Sequence, residues 1–141
     1  LKDGYVSITR GWKSNDRIEI ILPTQLKRAY SNPLVRENIG KVAIVKGPVV
    51  FCIEEADNGD NLHLVSVDRN SSLELQFDEK LINGIYVVYA HGYKIRRDDF
   101  EDQLYKTDFE ARYQPTKVKF IPYFAWGNRG KGEMRVWVYE K

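Results

Sequence analysis

The apolar residues of this chain recur at every second position over short stretches, and this spacing restricts the fold more than any other feature. Ile18, Ile20 and Leu22 are each separated by one residue, and the stretches 5–9 and 26–30 alternate in the same way. A period of two places side chains on the two faces of a β-strand, whereas a helix requires a period of three to four. We therefore predict strands over residues 5–9, 17–22 and 26–30.

Turn-forming pairs divide the remaining chain into strands of similar length. Asn58-Gly59 and Asn83-Gly84 favour tight turns, because both residue types tolerate positive φ angles. Roughly nine or ten short strands, with turn signals about every 8 to 12 residues, are typical of a sandwich. The pattern predicts an all-β fold, specifically an antiparallel β-sandwich.

A long charged loop interrupts this pattern between residues 96 and 113, with room for one helical turn over residues 100–105. Near the other end, Gly11 and the polar residues 13–15 have the character of a junction. We interpret residues 1–13 as the end of a preceding domain or a linker, and residues 14–141 as one sandwich domain.

The composition restricts the classes of molecule that this chain is expected to bind. The 141 residues fit one domain with its own core, and 43% of them are hydrophobic. The net charge of +2 is small, whereas proteins that bind nucleic acids or anionic membranes usually have a concentrated basic surface. No apolar run approaches the ~20 residues of a membrane-spanning helix. We therefore expect neither nucleic acid nor membrane as a partner.

Two segments carry a more specific signal. The sequence NPLVRENIGKVAIVKGPVVFCIEEADN occupies residues 32–58, and IPYFAWGNRGKGEMRVWVYEK occupies residues 121–141. Their Asn-Pro, Gly-Pro, Cys-Ile-Glu and Trp-Gly-Asn-Arg-Gly elements, in this order, resemble the C-terminal region of glycoside hydrolase family 127, the bacterial β-L-arabinofuranosidase-like proteins. The opening YVSITRGW resembles the end of the sandwich domain that precedes this region in that family.

The resemblance implies a longer parent protein, with a catalytic (α/α)6 barrel followed by two jelly-roll-like β-sandwiches. The family's zinc-bound cysteine nucleophile and its glutamates lie on the barrel, and no part of this chain matches a barrel motif. The resemblance therefore implies a jelly-roll-like C-terminal accessory domain without catalytic residues or cofactor, zinc being expected only in the parent's catalytic domain. The implied partners are the barrel and the neighbouring sandwich of the same chain, and the compartment of the bacterial parent, cytoplasmic or exported, stays open.

The polar residues give no catalytic or metal site. Retaining glycosidases usually need two carboxyl groups roughly 5 Å apart, whereas adjacent Glu54 and Glu55 would point to opposite faces of a strand. We interpret the acidic residues of the long loop (Asp98, Asp99, Glu101 and Asp102) as a solvated surface. The residues Cys52, His63 and His91 lack the spacing of a zinc site, and Cys52 is expected to be a small buried apolar residue. The segment 57–60 lacks the closing glutamate of a calcium loop and is read as a turn.

The candidate binding residues are Tyr123, Trp126, Asn128 and Arg129. Exposed rings beside Asn and Arg suit a sugar, whose apolar face packs on the ring while polar groups bond its hydroxyls. The same residue types are typical of a core or of a docking surface. We favour core or docking surface over sugar contact. Trp137 is expected in the core. The hypothesis is a non-catalytic domain that packs against the barrel or mediates dimerisation, and the alternative is a carbohydrate-binding module for plant cell-wall oligosaccharides.

Overall fold

The computed structural model describes residues 3–22, 24–97, 100 and 103–141. Nine strands lie within these ranges: β1 (Leu26–Ala29), β2 (Lys41–Lys46), β3 (Val49–Glu54), β4 (Val65–Val67), β5 (Glu74–Asp78), β6 (Ile85–Ile95), β7 (Tyr113–Pro122), β8 (Met134–Arg135) and β9 (Val138–Glu140). The helical elements are one α-helical turn, α1 (Glu55–Asn58), and three 3-10 turns at Arg36–Asn38, Leu62–Leu64 and Tyr123–Ala125. The prediction of an all-β fold is confirmed. None of the helices in the described ranges has the length and hydrophobicity needed to cross a membrane.

The strands pair in the order β1-β2-β9-β4-β6-β7-β3-β8, and β5 pairs with β6. β2 also pairs with β3. The strands β2, β9, β4, β6, β7 and β3 therefore surround one core in a sandwich-like arrangement. The pairs are antiparallel except for β4 with β9, which run parallel. The predicted sandwich is thus confirmed with one parallel pair added, and the jelly-roll topology stays a prediction.

Alternation along the central strands divides the buried side chains between two clusters. Phe51 and Ile53 of β3 point into the main core, while Cys52 between them points to a smaller cluster on the other face of the strand. The main core consists of Val42, Ile44, Phe51, Ile53, Leu62, Val65, Val67, Val88, Ala90, Val118, Phe120 and Val138. The smaller cluster consists of Cys52, Leu81, Val87, Ile121 and Ala125. Both faces of β3 are therefore covered.

The interpretation of Cys52 as a buried apolar residue is confirmed. Its side chain is fully buried, and burial raises the pKa of the thiol to about 12, with a smaller contribution from the nearby Glu54 carboxylate. A thiol with this pKa is neutral at physiological pH and is a poor nucleophile. Cys52 therefore contributes packing.

The strands expected at residues 5–9 and 17–22 are not formed. Residues 6–22 lie in no strand, Tyr5 makes only an isolated bridge, and every side chain from residue 3 to residue 22 is exposed. Alternation creates two faces, but a strand also needs a neighbour to pair its backbone groups. The stretch predicted at 26–30 has such a neighbour, since β1 pairs with β2 from Leu26 to Ala29.

The long loop lies between β6 and β7, as predicted, and its side chains from residue 103 to residue 110 are exposed. The helical turn predicted over residues 100–105 is absent from the described part of that stretch. The acidic residues Asp98, Asp99, Glu101 and Asp102 lie outside the described residues. The loop therefore adds length to the β6–β7 connection without adding a described element of regular structure.

Candidate functional site

Residues 123–132, called here the aromatic loop, lie between β7 and β8 and present three rings to solvent. Pro122 ends β7, and the 3-10 turn Tyr123–Ala125 follows directly. The side chain of Ala125 is 1% exposed and packs in the smaller cluster. Around it Tyr123 is 47% exposed, Phe124 69% and Trp126 43%. The alanine anchors the loop, and the rings face outward.

Two of these rings form a stacked pair. The ring centroids of Tyr123 and Trp126 are 6.2 Å apart, with an angle of 28° between the ring planes. A 3-10 turn has three residues per turn, which brings side chains three positions apart onto one side. The backbone N–H of Trp126 donates to the carbonyl oxygen of Tyr123 at 3.1 Å and closes this turn. The pair is therefore positioned by the local backbone.

Asn128 is turned toward its own loop. Its side-chain Nδ2 donates to the carbonyl oxygen of Ala125 at 3.0 Å, and it lies 3.5 Å from the carbonyl oxygen of Trp126. The amide thus satisfies carbonyl groups at the end of the 3-10 turn, where backbone acceptors would otherwise depend on water. This contact gives Asn128 a role in shaping the loop.

Arg129 reaches back across the sheet to β3 and α1. Its Nη1 donates to Oδ1 of Asp57 at 2.9 Å, and its Nη2 donates to the carboxylates of Glu54 and Asp57. Lys119 of β7 joins the group, with its Nζ 3.2 Å from Oδ1 of Asp57. We call these four residues (Glu54, Asp57, Lys119 and Arg129) the clamp, because they fasten the aromatic loop to three other elements.

Neighbouring contacts reinforce the clamp. Oε1 of Glu54 accepts a hydrogen bond of 2.8 Å from the backbone N–H of Gly127, inside the aromatic loop. The side chain of Asn58 bonds both backbone groups of Lys119, donating to the carbonyl oxygen at 2.9 Å and accepting from the N–H at 3.0 Å. Nζ of Lys119 also donates to Asp78 at 3.0 Å. The loop, α1 and the sheet are therefore joined by a continuous set of polar contacts.

The contacts of the clamp favour the charged forms of Asp57, Lys119 and Arg129. Burial alone would raise the pKa of Asp57, but hydrogen bonds from Arg129 and Lys119 outweigh burial and hold that pKa below its usual value. The pKa of Arg129 is raised, chiefly by its hydrogen bonds to Asp57 and also to Glu54, against the opposing effect of burial. Burial lowers the pKa of Lys119, but hydrogen bonds to Asp78 and Asp57 leave it raised. These shifts are typical of mutually satisfied ion pairs, and none places a carboxyl near neutral pH for proton transfer.

The carboxylates beside the clamp are also engaged with backbone groups. Oε2 of Glu55 accepts from the N–H of Glu133 at 2.9 Å, and Oε2 of Glu133 accepts from the N–H of Leu62 at 2.8 Å. A cavity of about 260 Å³ lies here, lined by α1 and residues 129–133, and the three rings are not among its lining residues. In the described ranges, no three His, Cys, Asp or Glu side chains converge in a way that could hold a metal ion.

The four candidate residues share one loop but have two different roles. Tyr123 and Trp126 are presented to solvent, so the interpretation that they fill the core of this domain is wrong, while docking and sugar contact stay predictions. Asn128 and Arg129 form hydrogen bonds with other groups of the same domain. Trp137 is only partly buried and lies in neither described cluster, so its expected core position is also wrong.

Glu54, Asp57 and Lys119 were not singled out as site residues from the sequence. The sequence pattern suggests for Glu54 only a pairing with Glu55 in catalysis, and for Asp57 only a place in a calcium loop or a turn. Arg129 lies 75 residues from Glu54 and 72 from Asp57 along the chain. No local spacing signals a contact over such a separation. Only the pairing of β3 with β7 and β8 brings these residues together.

Comparison with known proteins gives a consistent result. Residues 26–139 match the model of the glycoside hydrolase family 127 C-terminal domain. A non-reducing end β-L-arabinofuranosidase from Bifidobacterium longum subsp. longum is 31% identical over 140 residues, a match that covers 96% of this chain and 21% of that protein.

Solved structures show the same relationship. A family 127 β-L-arabinofuranosidase from Geobacillus stearothermophilus T6 superposes with a TM-score of 0.80 at 41% identity, covering 84% of this chain and 19% of that one. A second family 127 β-arabinofuranosidase gives a TM-score of 0.70 at 25% identity, covering 84% of this chain and 17% of that one. This chain thus spans about a fifth of the length of the proteins it matches, and it belongs to the C-terminal domain family of glycoside hydrolase family 127.

Proposed function

We propose that this domain is a non-catalytic accessory unit of a longer bacterial glycoside hydrolase of the β-L-arabinofuranosidase type. The observation that carries the proposal is the engagement of the carboxylates around the aromatic loop. Glu54 and Asp57 are paired with Arg129, and Glu55 bonds a backbone N–H. A glycosidase acid or nucleophile must instead be free to meet the substrate. The carboxylates near this surface maintain its shape.

The length comparison supports an accessory role. The matched proteins are named as β-arabinofuranosidases, and about four-fifths of each lies outside the part that matches this chain. We propose that the parent's catalytic residues and any zinc lie in that larger part, expected to be an (α/α)6 barrel. This domain would pack against the barrel and the neighbouring sandwich, or would mediate dimerisation.

A domain boundary near the N-terminus belongs to the same proposal. The family model begins at residue 26, whereas the Bifidobacterium relative aligns over nearly the whole chain. Residues 3–22 are exposed throughout and contribute no side chain to either described core cluster. We propose that residues 1–13 belong to a preceding domain or linker. The same exposure extends to residue 22, beyond the boundary predicted between residues 13 and 14.

Turnover by the isolated chain tests the non-catalytic role. The 141-residue chain is assayed on an aryl β-L-arabinofuranoside beside a Glu54→Gln variant, with circular dichroism to show that both are folded. We expect no hydrolysis above the blank for either protein. Hydrolysis by the wild-type chain that is abolished in the folded Glu54→Gln variant would contradict the proposal.

A carbohydrate-binding module is the second candidate, favoured by one observation: the stacked and half-exposed Tyr123–Trp126 pair. Stacked aromatic surfaces accommodate the apolar faces of sugars. Arabinan- and pectin-derived oligosaccharides are titrated while tryptophan fluorescence is followed, with a Trp126→Ala variant separating this ring from Trp12 and Trp137. Saturable quenching in the wild type that disappears in Trp126→Ala would favour this candidate over the accessory role.

A further inference from the structure

We propose that the aromatic loop is a preformed docking surface, and that its occupant is an apolar face on the remaining part of the same longer polypeptide. This inference rests on the proposed accessory function, and it names the loop through which the domain contacts the rest of the longer polypeptide. The residues that make the contact are Tyr123, Phe124 and Trp126. The clamp contributes by fixing their positions.

All three rings are exposed within a short stretch of backbone, and two of them are stacked. Phe124 is the most exposed of the three, and it lies between the two members of the stacked pair in sequence. An exposed cluster of large aromatic side chains on a soluble protein marks an interaction site more often than isolated apolar residues do. Ala125 beneath the turn is buried, which orients the neighbouring rings away from the domain.

The surface has its shape before any partner arrives. Gly127 and Arg129 tie the loop to Glu54, and Arg129 also pairs with Asp57. Asn128 closes the preceding turn from within. Association costs free energy for each side chain and loop that must be ordered, so a loop already held in place docks at a lower cost.

The polar chemistry of the loop favours a protein face over a sugar. Sugar sites combine ring stacking with hydrogen-bond groups that meet the hydroxyls. Here the amide of Asn128 bonds the loop backbone, and the guanidinium of Arg129 bonds two carboxylates. The nearby cavity of about 260 Å³ is not lined by the rings. The polar side chains of Asn128 and Arg129 are therefore engaged within the domain, and the rings beside them offer mainly their apolar faces, which fits an apolar protein surface.

The small size of the surface favours a partner on the same chain. Large aromatic side chains bury about 150–250 Å² each, so three half-exposed rings offer on the order of 300 Å². A stable contact between separate proteins usually needs about 800 Å² on each partner. A tethered partner needs less, because a short linker gives an effective concentration in the millimolar range. About four-fifths of each matched relative lies outside the part shared with this chain, which supplies such a partner.

Thiol labelling measures whether the loop is covered. Phe124→Cys is compared with Phe77→Cys, a matched control on β5 whose ring is 54% exposed. The single native cysteine of this chain, Cys52, is buried. Maleimide labelling at positions 124 and 77 is followed by peptide mass spectrometry, in the 141-residue chain and in the longer natural protein. Melting curves of both variants show that the domain is folded.

We expect both thiols to react rapidly in the 141-residue chain. In the longer protein we expect position 124 to react at least about tenfold more slowly, the protection given by ~1.4 kcal/mol of docking, with position 77 unchanged. Unchanged labelling at position 124 would overturn the docking surface. Equal slowing at both positions would overturn its assignment to this loop. Concentration-dependent slowing in the 141-residue chain would identify a second copy as the occupant instead.

These outcomes are independent of the test of the accessory role. Hydrolysis by the 141-residue chain would overturn the proposed function without any change in labelling. A folded chain that lacks activity, but whose position 124 labels equally fast in both proteins, would overturn only the docking surface. Protection at position 124 by added arabino-oligosaccharide would replace the protein occupant with a sugar.

Discussion

The N-terminal segment of residues 3–22 and the aromatic loop of residues 123–132 both expose large apolar side chains, but they are held in different ways. The N-terminal segment includes Tyr5, Val6, Ile8, Trp12, Ile18, Ile20, Ile21 and Leu22 among the exposed residues. Its described polar contacts are local, such as the 3.4 Å ion pair of Arg10 with Asp16. The aromatic loop is held by contacts with residues more than 70 positions away.

This difference shows that the exposed fraction of a side chain does not by itself reveal whether the surrounding backbone is held in place. The rings of the aromatic loop have fixed positions because Arg129 is bonded to two carboxylates that are themselves part of the folded domain. The N-terminal residues alternate as a strand would, yet they lie in no strand beyond the bridge at Tyr5. The loop is held by contacts within the domain, while the N-terminal segment has the alternation of a strand without a described strand partner.

The largest effect should follow from removing the centre of the clamp. Arg129→Ala leaves the carboxylate of Glu54, which is 6% exposed, without its cationic partner. A carboxylate stripped of its partner costs up to several kcal/mol when fully buried, and here we expect a loss of about 2 kcal/mol in the free energy of unfolding. Denaturant titration measures the loss, and hydrogen exchange should show the amides of residues 123–132 approaching the rates of residues 3–22.

The matched control lies in the other region. Arg10 also pairs with an aspartate, but its side chain is 52% exposed. Arg10→Ala should lower the free energy of unfolding by less than about 0.5 kcal/mol, because exposed ion pairs contribute little. If the two arginine variants lost equal stability, the distinction between a clamped and an unclamped region would fail.

A smaller effect should appear in the pH dependence of stability. The pKa values of Asp57 and Asp78 are below the usual 3.8, the first through hydrogen bonds that outweigh burial and the second mainly through its hydrogen bond from Lys119. A depressed pKa means that the unfolded chain binds protons first, so this stabilisation is present above about pH 4 and is lost as the pH falls through the folded-state values. Asp57→Asn should remove about 1 kcal/mol at pH 7 and progressively less toward pH 2.

The control for this pH effect is Asp60→Asn. Asp60 pairs with Lys94 and Arg97 at 3.7 Å and 3.3 Å, but its side chain is 57% exposed. Urea titrations between pH 2 and pH 7 should give a flatter curve of stability against pH for Asp57→Asn than for the wild type. Asp60→Asn should lose less stability at pH 7 than Asp57→Asn, because exposed ion pairs contribute little. A curve for Asp57→Asn that stays parallel to the wild type would show that the clamp does not contribute to acid unfolding.

The smallest effect should follow from deleting residues 1–22. None of the described residues in this stretch contributes to the core, and changes at exposed positions away from the core usually alter stability by less than about 0.5 kcal/mol. Thermal unfolding of the truncated chain should therefore remain cooperative, with an almost unchanged midpoint. A loss of cooperativity would show that the N-terminal segment is part of this fold, and that the comparison between the two regions needs revision.

Sequence reasoning was accurate where the information is local. The turn predicted at Asn83-Gly84 is formed by residues with φ angles of 59° and 98°. The family resemblance is confirmed as well, because it depends on the order of short segments. The errors concern residues whose state depends on distant neighbours. Residues 17–22 have the alternation of a strand without a described strand partner, and Trp137 is aromatic without being in the core.

The sequence by itself determined the β-rich class, the turn at Asn83-Gly84 and the family, because periodicity, turn chemistry and motif order act over a few residues. Only the tertiary structure decided what the Trp-Gly-Asn-Arg-Gly stretch does. Arg129 lies far along the chain from Glu54 and Asp57, and only the folded sheet brings the three together. The strength of such a contact depends on burial and on distance, and neither quantity exists until the chain has folded.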